Sequence, residues 1–510
     1  MYKLNNYKMV FSFLNTVMSW FLKKRIHQID LFKKYPIEVQ NENLLSIIKS
    51  AKNTEFGKNY EFSTIDNYQT FASRVPLTNY EEFSSKIKRT IDGEQNIFWH
   101  ESIKWFAQSS GTTSSVSKFI PVSNETLEKC HFQGGKDALC LYINNNPSSN
   151  LFSGKSLRLG GSRKLYENNN NYFGDLSAIL IDNLPIWAEM ISTPNNQISL
   201  IDKWDEKINA VTKNTVNEDV TSLAGVPSWM LTLLNNVLLK THKKNIGEIW
   251  PNLEVYFHGG VNFSPYRQEF RKILSEKTMF YETYNASEGF FGIQDQNNSD
   301  ELLLMLDYGI FYEFIEFSDF NKNNEKIINL SDVKTGVNYA ILISTNSGLW
   351  RYKIGDTVKF TSTYPFRIKI TGRTKNFINA FGEELIVENA ELALQKTLSK
   401  HNLHIVEYTA APCFMQGKSS GFHQWLIEFK IPPENLAVFK KDLDINIQKI
   451  NSDYKSKRFK NITMSEIDII VARKNQFYNW LSDKKKLGGQ NKIPRLCNDR
   501  KLIEEILKYS

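Results

Sequence analysis

The sequence has 510 residues, of which 41% are hydrophobic and 23% are charged, the ordinary mixture of a globular protein. Its net charge of +8 is dispersed along the chain, which argues against a nucleic-acid binder, because such proteins concentrate basic residues on one face. The four cysteines (Cys130, Cys140, Cys413 and Cys497) show no CxxC or metal-ligand spacing, so a reducing, cytoplasmic compartment is expected.

The first predicted element is the apolar segment Met9–Lys24, "MVFSFLNTVMSWFLKK". Its apolar residues recur at helical spacing, Asn15, Thr16 and Ser19 interrupt them, and no small-residue cleavage site follows. The segment is also too short to span a bilayer. It predicts an amphipathic helix that packs on the body of the protein, with peripheral membrane contact as the alternative.

The next part of the chain alternates helical patterns with short apolar strands. Val226–His242 predicts a helix with proline near its start, and Leu253–Val261 predicts a buried strand that ends in a glycine turn before another helix. This alternation is typical of layered α/β structures. Phe311–Phe360 predicts β hairpins.

A change of pattern after Thr371–Glu384 predicts a second domain. A helix at Glu388–Leu398, two strands, a long helix and a further strand follow in that order. We therefore expect an α/β fold, α+β overall, with a large domain at residues 1–371 and a smaller α+β domain at residues 372–510. The hinge would lie near Gly372 and Gly382.

One apparent phosphate loop is rejected. Ser148–Ser156, "SSNLFSGKS", nearly fits the GxxxxGK[ST] motif, but Ser149 stands where the first glycine belongs. Such a loop must lead directly into a helix, because the amides at the helix N-terminus bind the phosphates. The residues that follow, "LRLGGSRK", predict a strand, so we interpret the segment as a turn between strands.

A second hydroxyl-rich stretch, "SSGTTSSVSK", lies between two apolar strand-like segments. Gly111 lets the backbone bend close to an anion, and amides, hydroxyls and one lysine can then donate to phosphate oxygens. The candidate side chains are Ser109, Ser110, Thr112, Thr113 and Lys118.

Two later segments add complementary chemistry. Tyr281–Phe290 carries Tyr284, whose ring can stack on a base, Ser287, which can reach a phosphate, and Glu288, which can hold Mg²⁺. Asp356 follows Gly355 in "WRYKIGDTV", where a carboxylate at a tight turn can accept both hydroxyls of a ribose.

Two basic segments complete the set. "GRTK" places Arg373 and Lys375 at the predicted hinge, and "GGQNKIPRL" places Lys492 on a glycine-flanked loop of the small domain. Taken singly, each of these segments is better explained as a turn glycine, a capping aspartate or a solvated lysine. Their joint occurrence in this order favours a nucleotide site.

The order SSGTT, YxxSE, YxxGD, GRT and a late lysine resembles the adenylate-forming superfamily that includes acyl-CoA synthetases and firefly luciferase. More closely, the chain resembles the auxin-responsive acyl acid–amido synthetase family, particularly its bacterial branch. The resemblance extends over nearly the whole chain. The supporting stretches are "SSGTTSSVSKFIPVS", "FGDLSAILIDNLPIWAE", "TSLAGVPSWMLTLL", "WPNLEVYFHGGVNFSPYRQEF", "YNASEGFFGIQ", "GLWRYKIGDTV", "GRTKNFINAFGEEL" and "NKIPRL".

The resemblance implies an adenylate-forming N-terminal domain with layered α/β and β-barrel-like parts, and a mobile C-terminal lid. It also implies a role for each matching position. The loop around the ATP phosphates is matched by Ser109, Ser110, Gly111, Thr112 and Thr113. Tyr284 matches the adenine-stacking residue, with Ser287 near the α-phosphate, Glu288 toward Mg²⁺ and Asp356 on the ribose, and Ala286 and Arg373 are further nucleotide-binding positions. Gly259 and Gly260 match a turn near the adenine or acyl pocket, and Lys375 and Lys492 match basic residues that approach phosphates as the lid closes.

The chain departs from these families in two places. In the wider superfamily an aspartate often marks the hinge where Lys375 lies, so luciferase-type hinge mechanics need not transfer. The expected acyl-pocket segment, Asn124–Tyr142, contains no arginine. Lys136 or His131 could steer a carboxylate there, but the favoured interpretation is a helix that faces the core.

The resemblance implies a ligase that uses ATP and Mg²⁺ to adenylate a carboxylic acid and then passes the acyl group to an amine, an amino acid in this family. Ser110, Lys375 and Lys492 would then be the catalytic residues. A monomer that acts on small molecules is expected. Two alternatives stay open: an acyl-CoA ligase that uses the same intermediate, and a nucleotide-binding protein without turnover.

Overall fold

The computed structural model describes residues 24–509 except 110–117, 161–165, 169, 202, 261–262, 321, 323–324, 375–376, 379, 382, 384, 414–419, 452–453, 456–457, 459–463, 485–491 and 498. The predicted amphipathic helix at Met9–Lys24 lies outside the described residues, except for its last one. Within the described part, no helix combines the length and the apolar character that a membrane crossing requires.

Four sheets organise the described residues. The largest has the strand order β13-β12-β14-β15-β16-β11-β10-β9-β8-β7-β3-β6. Beside it lie a four-stranded sheet (β2-β1-β5-β4), a two-stranded sheet (β17-β18) and a three-stranded sheet (β19-β20-β21). The strands are β1 (Trp105–Ser109), β2 (Lys118–Val122), β3 (Lys155–Leu159), β4 (Tyr166–Asn168), β5 (Asn171–Gly174), β6 (Ser192–Thr193), β7 (Val220–Gly225), β8 (Val255–Gly259), β9 (Met279–Ala286), β10 (Gly289–Ile293), β11 (Leu302–Leu304), β12 (Ile310–Glu316), β13 (Ile327–Asn329), β14 (Asn338–Thr345), β15 (Tyr352–Thr363), β16 (Phe366–Arg373), β17 (Phe377–Ile378), β18 (Leu385–Ile386), β19 (Ile405–Cys413), β20 (Phe422–Phe429) and β21 (Asp468–Val471).

Helices surround these sheets. The first described helix covers residues 24–34. The helix predicted at Val226–His242 is confirmed at Pro227–Thr241, and the one predicted at Glu388–Leu398 is confirmed at Val387–His401. The α-helices are Pro36–Ala51, Glu55–Asn59, Tyr68–Arg74, Tyr80–Ile91, Asn124–Thr126, Gln133–Asn145, Leu176–Asp182, Ile186–Met190, Asn196–Ser199, Trp204–Thr215, Pro227–Thr241, Ser264–Ile273, Val387–His401, Leu436–Ile450, Gln476–Asp483 and Lys501–Leu507.

The large sheet is parallel at one end and antiparallel at the other. Strands β6, β3, β7, β8 and β9 pair in parallel, and β9 through β13 continue with antiparallel pairs. The helices Pro227–Thr241 and Ser264–Ile273 pack on one face of the parallel part, and Gln133–Asn145 packs on the other. In such sheets ligands bind beyond the carboxyl ends of the strands, which locates the search for a site.

The rejection of the phosphate loop is confirmed, but the segment connects the helix Gln133–Asn145 to β3 and does not lie between two strands. Leu151–Ser153 forms one turn of 3₁₀ helix, and β3 begins at Lys155, so no helix opens where the phosphate-loop motif would require one.

The C-terminal part of the chain has its own core. The helices Val387–His401 and Leu436–Ile450 pack on the β19-β20-β21 sheet around Trp425, Phe439 and Leu443, which are fully buried. Lys430 forms an ion pair of 2.8 Å with Glu269 of the large body. The predicted α/β fold with a large and a small part is confirmed, whereas the division at 371/372 stays a prediction.

A buried ion pair ties the N-terminal helices to the antiparallel strands. Arg351 precedes β15, and its guanidinium donates to the Glu313 carboxylate of β12 at 2.8–3.1 Å. The same guanidinium donates to the carbonyls of Ala72 and Val75 at 2.8 Å. Both charged side chains are almost fully buried, with exposed fractions of 5% and 1%.

We expect Arg351→Ala to lower the free energy of unfolding by about 3–5 kcal/mol, because it leaves the buried Glu313 carboxylate without its cationic partner and with only the Tyr68 hydroxyl donating to it. Urea unfolding measures the change. Lys322→Ala, which breaks the exposed Lys322–Asp319 pair, is the control and should cost less than about 1 kcal/mol. Equal effects of the two substitutions would contradict the assignment.

Candidate functional site

The site is built around the carboxylate of Asp356. Asp356 of β15 lies opposite Arg373 of β16 in the strand register, and the Arg373 Nε donates to it at 2.8 Å. From the neighbouring part of the sheet, the Tyr284 hydroxyl at the end of β9 donates to the other carboxylate oxygen at 2.7 Å. Three predicted site residues from distant segments therefore meet at one carboxylate.

The prediction that Asp356 lies at a tight turn is wrong. Gly355 and Asp356 lie inside β15, where the pairs Leu342–Lys353 and Ala340–Thr357 leave one residue of β14 facing three residues of β15. This bulge is possible because Gly355 adopts φ of +88°, which a side chain would disfavour. A bulge bends the strand and redirects its side chains, which explains how Asp356 reaches Tyr284.

Ser287 and Glu288 form the two-residue turn between β9 and β10, because Ala286 pairs with Gly289. Burial raises the pKa of Glu288, and the nearby Asp356 carboxylate raises it further, whereas Arg373 and Lys118 act in the opposite direction. Glu288 has no ion-pair partner in the described part of the chain. A buried carboxylate of this kind is suited to a cation.

The hydroxyl-rich loop connects two paired strands. Ser109 ends β1 and lies opposite Lys118, the first residue of β2. Ser110, Gly111, Thr112 and Thr113 lie outside the described residues. The effect of Lys118 on Glu288 shows that this end of the hairpin faces the β9–β10 turn.

Tyr80 supports this hairpin, and the sequence analysis missed it. Its hydroxyl accepts the Phe119 backbone N–H at 2.9 Å, and the Lys118 ammonium lies 5.3 Å from its ring centre. A tyrosine in the first turn of a helix carries no motif, so no sequence signal could have identified it.

The predicted glycine turn follows β8 and meets Lys492. A Cβ at Gly259 would lie 2.3 Å from the Thr283 carbonyl oxygen of β9, so only glycine allows the two strands to approach. Gly260 has φ of +80°, and a Cβ there would lie 3.5 Å from the Lys492 Nζ. Lys492 therefore reaches from the C-terminal part of the chain to the carboxyl end of β8.

Desolvation by the surrounding groups lowers the pKa of Lys492 to about 8, although part of the side chain stays exposed to solvent. The nearby Arg373 guanidinium adds to this effect, while Asp356 opposes it. The ammonium thus lies in the same electrostatic environment as Asp356 and Arg373. The structure brings together Lys118, Gly260, Tyr284, Glu288, Asp356, Arg373 and Lys492. Lys375 lies outside the described residues, and the chemical roles of all these side chains stay predictions.

The segment Asn124–Tyr142, which is expected to be a helix that faces the core, is helical and does face it. Residues Leu127–Phe132 form a π-helical turn and Gln133–Asn145 an α-helix, with one face buried. The His131 Nδ1 donates a hydrogen bond to the Asn285 Oδ1 at 3.0 Å, and burial lowers the pKa of this histidine to about 4. It is therefore neutral at pH 7 and cannot steer a carboxylate by charge. Lys136 lies 5.9 Å from the ring centre of Trp187.

The described residues contain no group of three or more histidine, cysteine, aspartate or glutamate side chains arranged to hold a metal ion. The predicted Mg²⁺ does not require one, because Mg²⁺ is commonly bound by one or two carboxylates together with substrate phosphates and water. Glu288, a desolvated carboxylate that forms no ion pair among the described residues, fits this donor set.

Comparison with known proteins places the fold. The solved structure titled "AtGH3.15 acyl acid amido synthetase in complex with 2,4-DB" superposes on this chain with a TM-score of 0.75 and 17% identity. The match covers 92% of this chain and 93% of that one. It also matches a 2-hydroxyisobutyryl-CoA ligase in the postadenylation state (TM-score 0.54, 11% identity, 92% of this chain and 90% of that one). The fold is therefore that of adenylate-forming enzymes.

The chain belongs to the GH3 family. The N-terminal, central and C-terminal domain models of that family match residues 25–279, 303–373 and 388–501. Its relatives include indole-3-acetic acid-amido synthetase GH3.4 of Arabidopsis thaliana (20% identical over 92% of this chain and 91% of the relative). They also include jasmonoyl–L-amino acid synthetase GH3.5 of Oryza sativa subsp. japonica (22%, 93% and 95%) and 4-substituted benzoates-glutamate ligase GH3.12 of Arabidopsis thaliana (21%, 91% and 94%).

Two buried histidines at the site predict a pH-dependent stability. Burial lowers the pKa of His131 to about 4 and that of His258, which stacks on Phe263, to about 3. Below the unfolded pKa of about 6.5 the unfolded chain binds a proton that the folded chain does not, so stability falls as the pH decreases. We expect a loss of about 2 kcal/mol per histidine between pH 7 and pH 5, measured by urea unfolding.

His131→Gln and His258→Gln should each flatten this dependence. His242→Gln, at an exposed helix end, is the control and should leave it unchanged. A pH profile that is the same in the wild-type protein and both buried-site variants would refute the prediction.

Proposed function

We propose that this protein is an ATP-dependent acyl acid–amido synthetase, a ligase that activates a carboxylic acid as its adenylate and transfers the acyl group to an amino acid. The observation that carries the proposal is the convergence of Tyr284, Glu288, Asp356, Arg373 and Lys492 at the carboxyl end of the parallel strands. Membership of the GH3 family, with relatives named as amido synthetases and ligases, supports it.

The chemistry explains why the site contains cations and hydrogen-bond donors but no catalytic triad. A carboxylate oxygen attacks the α-phosphorus of ATP, and pyrophosphate leaves. The amine nitrogen then attacks the acyl carbonyl, AMP leaves, and the nitrogen loses a proton. The first step requires positioning and charge stabilisation, which donors and cations supply without acid–base catalysis.

The geometry suggests how the residues share this work. Asp356, held by Arg373 and Tyr284, presents a fixed carboxylate that can accept the ribose hydroxyls. The loop from Ser109 to Lys118, which includes Ser110, Gly111, Thr112 and Thr113, would surround the phosphates. Lys492 would approach the α-phosphate from the C-terminal part of the chain, with Lys375 near it.

Tyr284 is buried, and its ring packs edge-on against Phe291 with centres 4.9 Å apart. We propose that its outer edge borders the adenine. Glu288 would hold Mg²⁺, which would supply positive charge to neutralise the phosphates. Residues 372–510 would act as the lid over residues 1–371, supported by the separate core of the C-terminal part. The four free cysteines fit a cytoplasmic protein, and we propose a monomer.

An acyl-CoA ligase is the second candidate, since a CoA ligase shares the fold. Purified protein supplied with ATP, a panel of aromatic, indolic, benzoic and fatty acids, and either amino acids or coenzyme A separates the two by product mass. Amides support the proposed function, and thioesters support the alternative. Absence of ATP–pyrophosphate exchange with every acid, despite ATP binding, would indicate a protein without turnover.

We expect Asp356→Asn to reduce ATP–pyrophosphate exchange mainly through a higher KM for ATP, by about tenfold or more, because hydrogen bonds to a charged group contribute about 1.5–3 kcal/mol. Asp319→Asn, which removes a carboxylate from an exposed pair, is the control. Unchanged KM in Asp356→Asn would remove this residue from the nucleotide site.

The proposed role of the Lys492 ammonium can be tested by the pH dependence of the reaction. Because its pKa is lowered to about 8, the ammonium loses its charge as the pH rises through 8, and kcat/KM for ATP should fall there. Lys492→Arg stays charged and should abolish this decline, whereas Lys492→Met should be slower by about a hundredfold at lower pH. A decline that persists in Lys492→Arg would assign it to another group.

A further inference from the structure

Arg158 is a partly buried arginine that has no counter-ion among the described residues. It lies on β3 between Leu157 and Leu159, whose side chains belong to the core under the helix Pro227–Thr241. Because side chains alternate along a strand, Arg158 points to the opposite face of the sheet. In the described part of the chain, no hydrogen bond, ion pair or aromatic ring engages its guanidinium, and burial alone lowers the pKa of Arg158 to about 10.

The guanidinium borders a small cavity under the helix Gln133–Asn145. Ser156 and Ser222 supply hydroxyls to its wall, and Leu139, Phe152 and Ile191 supply apolar side chains. The cavity has room for about one water-sized group. It therefore suits the end group of a ligand rather than a whole molecule.

The residues that line this cavity indicate that it binds an anion. An unpaired buried charge is costly, and proteins retain one where a ligand compensates it. The planar guanidinium donates in a fork that matches both oxygens of a carboxylate. Two serine hydroxyls beside it can donate to the same oxygens.

The cavity lies on the face of the sheet that the helix Gln133–Asn145 covers. Arg158 is in register with Ala224 of β7, which in turn is in register with Phe257 of β8. In β8, Phe257 shortly precedes the glycine turn at Gly259 and Gly260, where Lys492 is found. A ligand that extends from the turn along this face would place its far end near Arg158.

A short covering segment completes the cavity. Ile191 follows the helix Ile186–Met190, and the Lys155 ammonium, three residues before Arg158, donates to the Met190 carbonyl. Ile186 and Met190 are exposed apolar side chains on this segment. The cover is thus a small element that contacts the rest of the protein through few groups.

We propose that Arg158 binds a second carboxylate, at the end of the acyl acid remote from the reacting one, so that the preferred substrates are dicarboxylic acids. This inference depends on the proposed function for the identity of the reaction, but the binding of the remote carboxylate can be measured without it. Neither His131, which is neutral, nor Lys136, which lies over Trp187, provides an alternative cation inside the cavity.

The first test is ligand binding in the absence of ATP. Thermal unfolding is followed with straight-chain and aromatic dicarboxylic acids, each compared with its monomethyl ester and with the monocarboxylic acid of equal length. Acetate and inorganic phosphate serve as simple anions. A ligand that binds only the folded state raises the Tm, so some dicarboxylic acid should stabilise the wild-type protein more than its ester does.

The variants are Arg158→Met, Arg158→Lys and, as control, Arg74→Met, which removes an exposed arginine elsewhere. Arg158→Met removes an unpaired buried charge but retains the apolar stem, so its Tm without ligand should equal or exceed that of the wild type. The dicarboxylic acid should no longer stabilise it. Arg158→Lys should retain part of the effect, and Arg74→Met should retain all of it.

The second test is ATP–pyrophosphate exchange with the same acids. The ratio of kcat/KM for a dicarboxylic acid to that for its monomethyl ester should fall about tenfold or more in Arg158→Met, with little change for the ester. Exchange that does not discriminate diacid from ester in the wild type, or discrimination that Arg158→Met retains, would overturn the proposal. Equal stabilisation by acetate, phosphate and the dicarboxylic acids would also overturn it.

The two proposals fail in different ways. If a dicarboxylic acid stabilises the wild type through Arg158 but no acid supports exchange, the binding inference stands and the proposed function fails. If many acids support exchange without a contribution from Arg158, the proposed function stands and this inference fails.

Discussion

The carboxylate of Asp356 is the interaction on which the site depends. It holds Arg373 from the neighbouring strand and Tyr284 from β9 of the same sheet, and its charge changes the pKa of Glu288 and Lys492. A single anion among buried groups organises four others because charges interact strongly where water is scarce. The strand bulge at Gly355 directs this anion, so a backbone irregularity determines the geometry of the site.

The C-terminal part of the chain completes this arrangement. Lys492 reaches the glycine turn after β8, and Lys430 pairs with Glu269 on the helix that follows the same turn. Lys272 of this helix contacts His404 at 3.1 Å. These contacts are polar and partly exposed, so each contributes little to stability. Such an interface can separate and re-form at small cost, as a two-step reaction with a lid requires.

Several charges are partly or fully withdrawn from water, and they differ in whether an opposite charge compensates them. Arg351 and Glu313 neutralise each other and connect the N-terminal helices to the sheet. Glu288 and Arg158, in contrast, have no opposite charge paired with them among the described residues. A fold that retains such groups gives up stability, which is expected where a ligand supplies the missing charge. The two unpaired charges have opposite signs and lie at different places on the sheet. The negative charge of Glu288 suits a metal ion bound to a nucleotide, and the positive charge of Arg158 suits an acid.

The sequence by itself determined the local elements and the kinds of residue at the site. Hydrophobic periodicity predicted the helix at Pro227–Thr241 and the hairpins of the antiparallel strands, and it excluded the apparent phosphate loop before β3, because these depend on neighbours in the chain. Only the tertiary structure decided that Asp356 lies on a bulge, that Tyr80 supports Lys118, and that Arg158 has no partner in the part of the chain that the structure describes. Pairing and desolvation depend on side chains that lie up to hundreds of residues away along the chain, and no local pattern encodes them.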